Sequence, residues 1–352
     1  MARLDKVFKA AADLNASDVH VAPDEPFIIR RLGRLRKLKS PPQSAEACRQ
    51  LIFELLDEQQ RKKLEAEAQL DFAYEAPEAG RLRGSAMMHQ KGMSAVFRLI
   101  PSEIPTLESL RMPPVVSSVL DYHQGLILVT GGTGHGKTTT LAAMVDYINT
   151  RRAQHILTIE DPIEFIHPFK KGVVNQREVG GSTWSYANAL RGALRQDPDV
   201  IVVGELRDLD TISMAISAAE TGHLVIGTLA TSGATKTIDR IIDSYPPGEQ
   251  NQVRVMLSES LRAVVTQRLV SHTDGTQMAL ALEILIGSTQ MANLIRDSKT
   301  FQIPSMMQTG KKLGMQLMDE SLLALYKAGE ISGEDALANA SNPDKLKMQV
   351  KG

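Results

Sequence analysis

Residues 131–138 read Gly131-Gly132-Thr133-Gly134-His135-Gly136-Lys137-Thr138, a G-x-x-x-x-G-K-[ST] loop, and the text on either side narrows what the chain can fold into. Ahead of it, Leu126-Ile127-Leu128-Val129 is an apolar run short enough to be a buried strand. Behind it, Leu141, Met144, Val145 and Ile148 fall at i, i+3, i+4 and i+7, the apolar stripe of a helix. Strand, glycine loop and helix in that order form a cradle where backbone N–H groups and a helix N-terminus meet phosphate oxygens. In such a cradle Lys137 reaches the β- and γ-phosphates and the Thr138 hydroxyl faces Mg²⁺. The loop, extended by Thr139, is therefore expected to bind ATP or GTP.

A chain of 352 residues with 43% apolar and 23% charged residues can bury ordinary cores, and its length suits two domains. Forty basic against 41 acidic residues leave a net charge of −1, which gives no global attraction to nucleic acid or anionic lipid. No apolar run approaches the roughly 18 residues that a membrane-spanning helix needs. The charges of Met1-Ala2-Arg3-Leu4-Asp5-Lys6 have no apolar stretch behind them, unlike a secretory signal. Cys48 is the single cysteine, which excludes an intramolecular disulfide and a CxxC zinc module. The chain reads as soluble and cytoplasmic.

Residues 1–100 mix helix and strand. A first helix carries Val7, Ala11 and Leu14; strand pieces lie at 27–30 and 94–98; one helix over 45–67 puts Leu51, Ile52, Leu55 and Leu56 on a face. Pro101, Pro105, Pro113 and Pro114 mark 101–114 as a linker, with a second domain over 115–352. There, strands at 126–130, 155–159, 200–203 and 224–229 alternate with helices near 138–149, 184–195 and 209–220. That alternation predicts an α/β fold, a mostly parallel sheet covered by helices on both faces. Past 250 the text reads as helical at 251–267, 289–297, 303–308, 317–327 and 332–339, the last opened by a Ser332/Asp335 capping box.

A nucleotide loop needs a metal-side carboxylate and a group that positions water. Glu205 follows the apolar run Val200-Ile201-Val202-Val203-Gly204, where a strand C-terminus faces the loop; it is either that metal-side acid or an ordinary strand-end one. Glu160-Asp161-Pro162-Ile163-Glu164 concentrates three acids, as a Mg²⁺ or water-activating site does and as a solvated turn also does.

These segments, with Ala218-Ala219-Glu220-Thr221-Gly222-His223-Leu224, resemble the type IV pilus retraction ATPases of the secretion ATPase superfamily. Asn15-Ala16-Ser17-Asp18-Val19-His20, Asn175-Gln176-Arg177-Glu178-Val179, Arg191-Gly192-Ala193-Leu194-Arg195 and Leu313-Gly314-Met315-Gln316 extend the resemblance over nearly the whole chain. It implies a homohexamer of two-domain subunits, a PAS-like α+β domain followed by a RecA-like ATPase domain with a helical C-terminal region. ATP and Mg²⁺ would lie between neighbouring subunits, and hydrolysis would drive pilus retraction and twitching motility. The implied partners are an inner-membrane pilus platform protein and a retraction ATPase paralogue, with the motor peripheral at the inner membrane and no nucleic acid bound.

Carried over position by position, Glu164 resembles the general base and Glu205 the acid that holds Mg²⁺ through water. Arg81, Arg83 and Arg98 resemble the arginines that reach the γ-phosphate, where positive charge stabilises the transition state. Arg191, Arg195 and Arg207 are secondary candidates. His223 falls on the family's histidine segment.

Three departures stand beside these matches. The family loop usually reads GPTGSGK[ST]; here Gly132 replaces the proline and His135 the serine, and Gly132 is expected to loosen the loop. In Gly227-Thr228-Leu229-Ala230-Thr231, alanine stands where a second histidine is usual, so lowered turnover with retained ATP binding is expected. Gln290-Met291-Ala292-Asn293-Leu294-Ile295-Arg296-Asp297 keeps only the second half of a segment tied to retraction. An accessory or nucleotide-sensing paralogue with weak hydrolysis is the alternative reading. A pilus-extension or type II secretion ATPase is disfavoured by the short chain and single cysteine, and a nucleic-acid motor by the near-zero charge.

Overall fold

The structure, a computed structural model, describes residues 2–31, 33–100 and 103–350. It separates into two compact units, residues 1–103 with 162–166, and residues 104–161 with 167–352. Of the boundary prolines, Pro101 lies outside the described residues.

Unit 1 comprises α1 (Asp5–Asp13), β1 (Asp18–Val21), β2 (Ile28–Arg31), β3 (Arg34–Lys37), α2 (Ala45–Phe53), α3 (Glu58–Glu67), β4 (Gln69–Ala76), β5 (Gly80–His89) and β6 (Gly92–Leu99). The strands form one sheet in the order β3-β2-β1-β6-β5-β4, antiparallel at every pairing. α1 buries Phe8 and Ala11, with Leu4 just before it, and leaves Leu14 42% exposed beyond its end. The expected stripe through Val7 and Leu14 was thus rotated from the true one. The Phe8 ring meets Phe97 edge-on at 4.9 Å between centroids, the favoured geometry for aromatic pairs. Across the sheet Phe72 pairs with Gly84, where an added Cβ would lie 2.6 Å from the Phe72 ring, so only glycine lets that ring lie over β5.

The single helix expected over 45–67 is two. Asp57 accepts the Gln60 N–H with its side chain, while the Gln60 side chain accepts the Asp57 N–H. This reciprocal box starts a new helix, because Asp is far better as a cap than inside a helix.

Unit 2 opens with α4 (Pro114–Val119), β7 (Gly125–Thr130), α5 (Lys137–Arg151), β8 (His155–Glu160), β9 (Val173–Glu178), α6 (Tyr186–Ala193), β10 (Val200–Val203), α7 (Leu209–Glu220) and β11 (Leu224–Leu229). It continues with α8 (Ala234–Asp243), α9 (Gln250–Ser260), β12 (Leu261–Ser271) and β13 (Met278–Ile286), then α10 (Thr289–Arg296), α11 (Ile303–Thr309), α12 (Met318–Lys327), α13 (Gly333–Ala338) and α14 (Pro343–Val350). The sheet order is β13-β12-β7-β11-β10-β8-β9, parallel throughout except for β13, which runs antiparallel to β12. β7, β10 and β11 are buried along their whole length, as strands covered on both faces must be.

The helix expected over 251–267 stops at Ser260, and Leu261 begins an eleven-residue strand. Val264-Val265-Thr266 is β-branched and packs best on a pleated surface, and β7 and β13 hold it from both sides. Beyond it, Val270, Ala279, Met318, Leu322, Ile331, Ala336 and Leu346 form a small core that fastens the last helices to the β12–β13 pair. No helix among the described residues is long and apolar enough to cross a membrane.

Candidate nucleotide site

The glycine loop joins the C-terminal end of β7 to the first residue of α5. Gly131, Gly134 and Gly136 have φ of 145°, 81° and 79°, a region L side chains rarely adopt, so the loop's course requires them. At Gly131 a Cβ would also stand 2.5 Å from the Gln267 carbonyl oxygen. Gly132, Thr133 and Gly134 are exposed; His135, Lys137, Thr138 and Thr139 are half-buried, with Lys137 to Thr139 forming the first turn of α5. Lys137 Nζ donates to the Gly131 and Gly132 carbonyls at 2.9 and 3.0 Å, which lays its ammonium across the loop. Burial lowers its pKa and the Glu205 carboxylate opposes that shift, so the lysine and the acid are electrostatic neighbours.

Glu205 stands two residues past β10, and Arg207 Nε donates to its Oε2 at 2.6 Å. Glu160 ends β8, where its Oε1 accepts from the Thr158 hydroxyl at 2.6 Å and from the Gln176 amide at 3.0 Å. Tyr186 is pushed above its ordinary range by burial first, then by Asp161, Glu205 and Glu160, with Arg207 acting in the opposite direction. These groups therefore converge at the C-terminal edge of β8 and β10. Gly204 permits the approach: a Cβ there would come 3.2 Å from both the Tyr186 hydroxyl and the Ile159 carbonyl. Among the described residues no three His, Cys, Asp or Glu side chains gather as a metal cluster. Thr138 and Glu205 offer two hard oxygen donors, and that suits Mg²⁺, which takes few protein ligands and completes its shell with water and phosphate.

The acidic run divides between the units. Glu160 and Asp161 belong to unit 2, whereas Ile163 and Glu164 belong to unit 1. There Arg81 Nε donates to the Ile163 carbonyl at 2.7 Å, and Arg83 lies 3.6 Å from the Glu164 carboxylate and 3.8 Å from Asp71. Glu164, Arg81 and Arg83 thus form one group. Arg98 is engaged elsewhere: its Nε donates to the buried Asp18 at 3.1 Å, a carboxylate that also faces Arg30 at 3.7 Å.

His223 does not join the loop. It precedes β11, its Nδ1 is 3.1 Å from the Ala218 carbonyl, and its own carbonyl accepts the Gly125 N–H at the start of β7. The loop leaves the other end of β7, six residues at about 3.3 Å each, so the ring is about 20 Å from it along the strands. Within this chain the topology thus leaves His223 at the end of β11 opposite the glycine loop. Ala230, exposed at the C-terminal end of β11 beside the Leu229–Thr130 pair, is on the loop's side. Arg191 and Arg195 line a separate cleft with Arg177 and the exposed Trp184.

Sequence reasoning missed the contribution of β12. Thr266 shares a 2.7 Å hydroxyl contact with Thr130, Gln267 donates from its side-chain amide to the His135 carbonyl at 2.6 Å, and the Leu269 N–H donates to His135 Nδ1 at 3.0 Å. The β-branched run at 264–266 was the available signal.

A parallel sheet with its glycine loop, its loop lysine and an acid at a neighbouring strand end defines a P-loop nucleotide hydrolase. Residues 1–321 match the Type II/IV secretion system protein family, and the chain belongs to it. It is 48% identical to the type IV pilus retractation ATPase PilT of Pseudomonas aeruginosa over 96% of this chain and 97% of that one. To the type IV pilus ATPase PilU of the same organism it is 37% identical, over 99% and 91%. A crystal structure of the pilus retraction motor PilT with bound ADP superposes with a TM-score of 0.89 at 44% identity, covering 99% of both chains. The protein is therefore an ATPase of the pilus-retraction group, with an N-terminal domain and a RecA-like ATPase domain.

Proposed function

We propose that the protein is the subunit of a homohexameric motor that couples ATP hydrolysis to type IV pilus retraction, working with a platform protein at the inner membrane. The observation that carries this reading is near-half identity to a retraction ATPase over almost the full length of both chains. The lower identity to PilU makes an accessory paralogue the weaker alternative.

In this reading the loop amides and Lys137 bind the phosphates of ATP, and Thr138 with Glu205 would hold Mg²⁺. The metal would neutralise phosphate charge as it develops. Glu164 would take the proton of the attacking water, and its pairing with Arg83 ties the base to an arginine suited to the γ-phosphate. Arg81 is the second such arginine. Arg98, whose Nε donates to Asp18, is better suited to hold β6 to β1 in unit 1, which we read as a PAS-like domain. Unit movement on ATP binding and product release would supply the mechanical stroke.

Expression in a Pseudomonas aeruginosa strain that lacks its own PilT tests the reading. Restored twitching zones are expected, with none from Lys137→Ala; no restoration despite normal protein levels would oppose retraction as the function.

A further inference from the structure

The two loop positions that depart from the resembled pattern touch each other. A Cβ added at Gly132 would lie 2.8 Å from His135 Cδ2 and 3.2 Å from its Nε2, so a larger residue at 132 and this placement of the ring exclude one another. The ring that uses the space accepts the Leu269 N–H at Nδ1 at 3.0 Å, and the backbone carbonyl of the same residue accepts from the Gln267 side-chain amide at 2.6 Å, so one ring bond and one backbone bond tie the loop to β12. Gln267 is 2% exposed, so the anchor is part of the sheet's core. A loop with glycine at 131, 132, 134 and 136 has unusual backbone freedom to lose when it closes on phosphate. A side chain that fastens its centre to a rigid strand removes part of that freedom beforehand.

We propose that His135 is a positioning residue for nucleotide binding, a latch that holds the glycine loop against β12, with Gly132 as the space that admits it. The expected looseness from Gly132 is then offset by the histidine that the same glycine accommodates. The inference rests on the nucleotide-binding reading of this loop. Because Nδ1 accepts, the latched ring is neutral with its proton on Nε2, and protonation of Nδ1 opens the latch. Burial, Arg268 on β12 and Lys137 on α5 all disfavour that proton, so the latch stays closed at neutral pH.

Titration of the full-length protein with a fluorescent N-methylanthraniloyl ADP tests the latch. At pH 7.5, His135→Ser and Gly132→Ala should each weaken binding about two- to tenfold, the range for loss of one hydrogen bond. The double variant should be no weaker than either single one, because both remove the same contact. His135→Asn, whose amide oxygen can accept the Leu269 N–H in place of Nδ1, should keep near-wild-type affinity at pH 7.5. Lowering the pH to 5.5 should weaken the wild type more than His135→Asn. Losses that multiply in the double variant, or identical pH responses in wild type and His135→Asn, would overturn the latch. No binding by the wild type would overturn the nucleotide reading itself.

Discussion

His167 is the side chain most out of keeping with its surroundings. It is 7% exposed, and its Nδ1 has no hydrogen-bond partner among the described residues. Burial pushes its pKa down to about 4, Lys170 adds to the shift, and Asp146 opposes it. The folded value lies below the unfolded one of about 6.5, so the unfolded chain binds more protons between pH 4 and 6.5. Stability is then fully present above pH 6.5 and falls as the pH drops through that window, by up to about 3 kcal/mol from this group. Urea midpoints at pH 7 and pH 4.5 check it: His167→Gln should lose less on acidification than the wild type, and equal losses would contradict the assignment. Legibility was also uneven at this scale. Gly131, Gly136 and Lys137 could be read directly, since a phosphate cradle constrains both residue type and spacing. The seating of His135 could not, because its partners lie more than 130 positions later, Gln267 at the end of the helix expected over 251–267 and Leu269 just beyond it. The position of His223 was equally hidden: a motif gives order along the chain, not which end of a strand a residue occupies.

Among the elements, β7, β10 and β11 were legible because strands buried on both faces are continuous apolar runs. β12 was not, since its leucines and valines continue the apolar rhythm of α9 without a glycine or proline between them. In unit 1 the error ran the other way, and a polar break at Asp57 was read through as helix. The Phe72–Gly84 pair offers a test of how tightly that unit is packed. Gly84→Ala forces a methyl group to 2.6 Å from a ring that is 4% exposed and packed against Phe97, so overpacking of about 1–3 kcal/mol is expected. Chemical denaturation followed in unit 1 should show that loss, and Phe72→Leu should recover part of it. An unchanged midpoint for Gly84→Ala would mean that the ring moves freely.

Across the whole molecule, the candidate residues fall into two constellations. One holds the loop, Lys137, Thr138 and Glu205 in unit 2; the other holds Glu164, Arg81 and Arg83 in unit 1. The division explains why the acidic run around Pro162 was ambiguous in the sequence, since its first acids serve one unit and its last the other. The central claim is that these residues hydrolyse ATP. The steady-state Mg²⁺-dependent ATPase rate of the purified protein, beside Lys137→Ala and Glu164→Gln, tests it most directly. A measurable wild-type rate that falls at least about a hundredfold in each variant is predicted, the usual loss on removing a catalytic base or charge stabiliser. Equal rates in all three would contradict it.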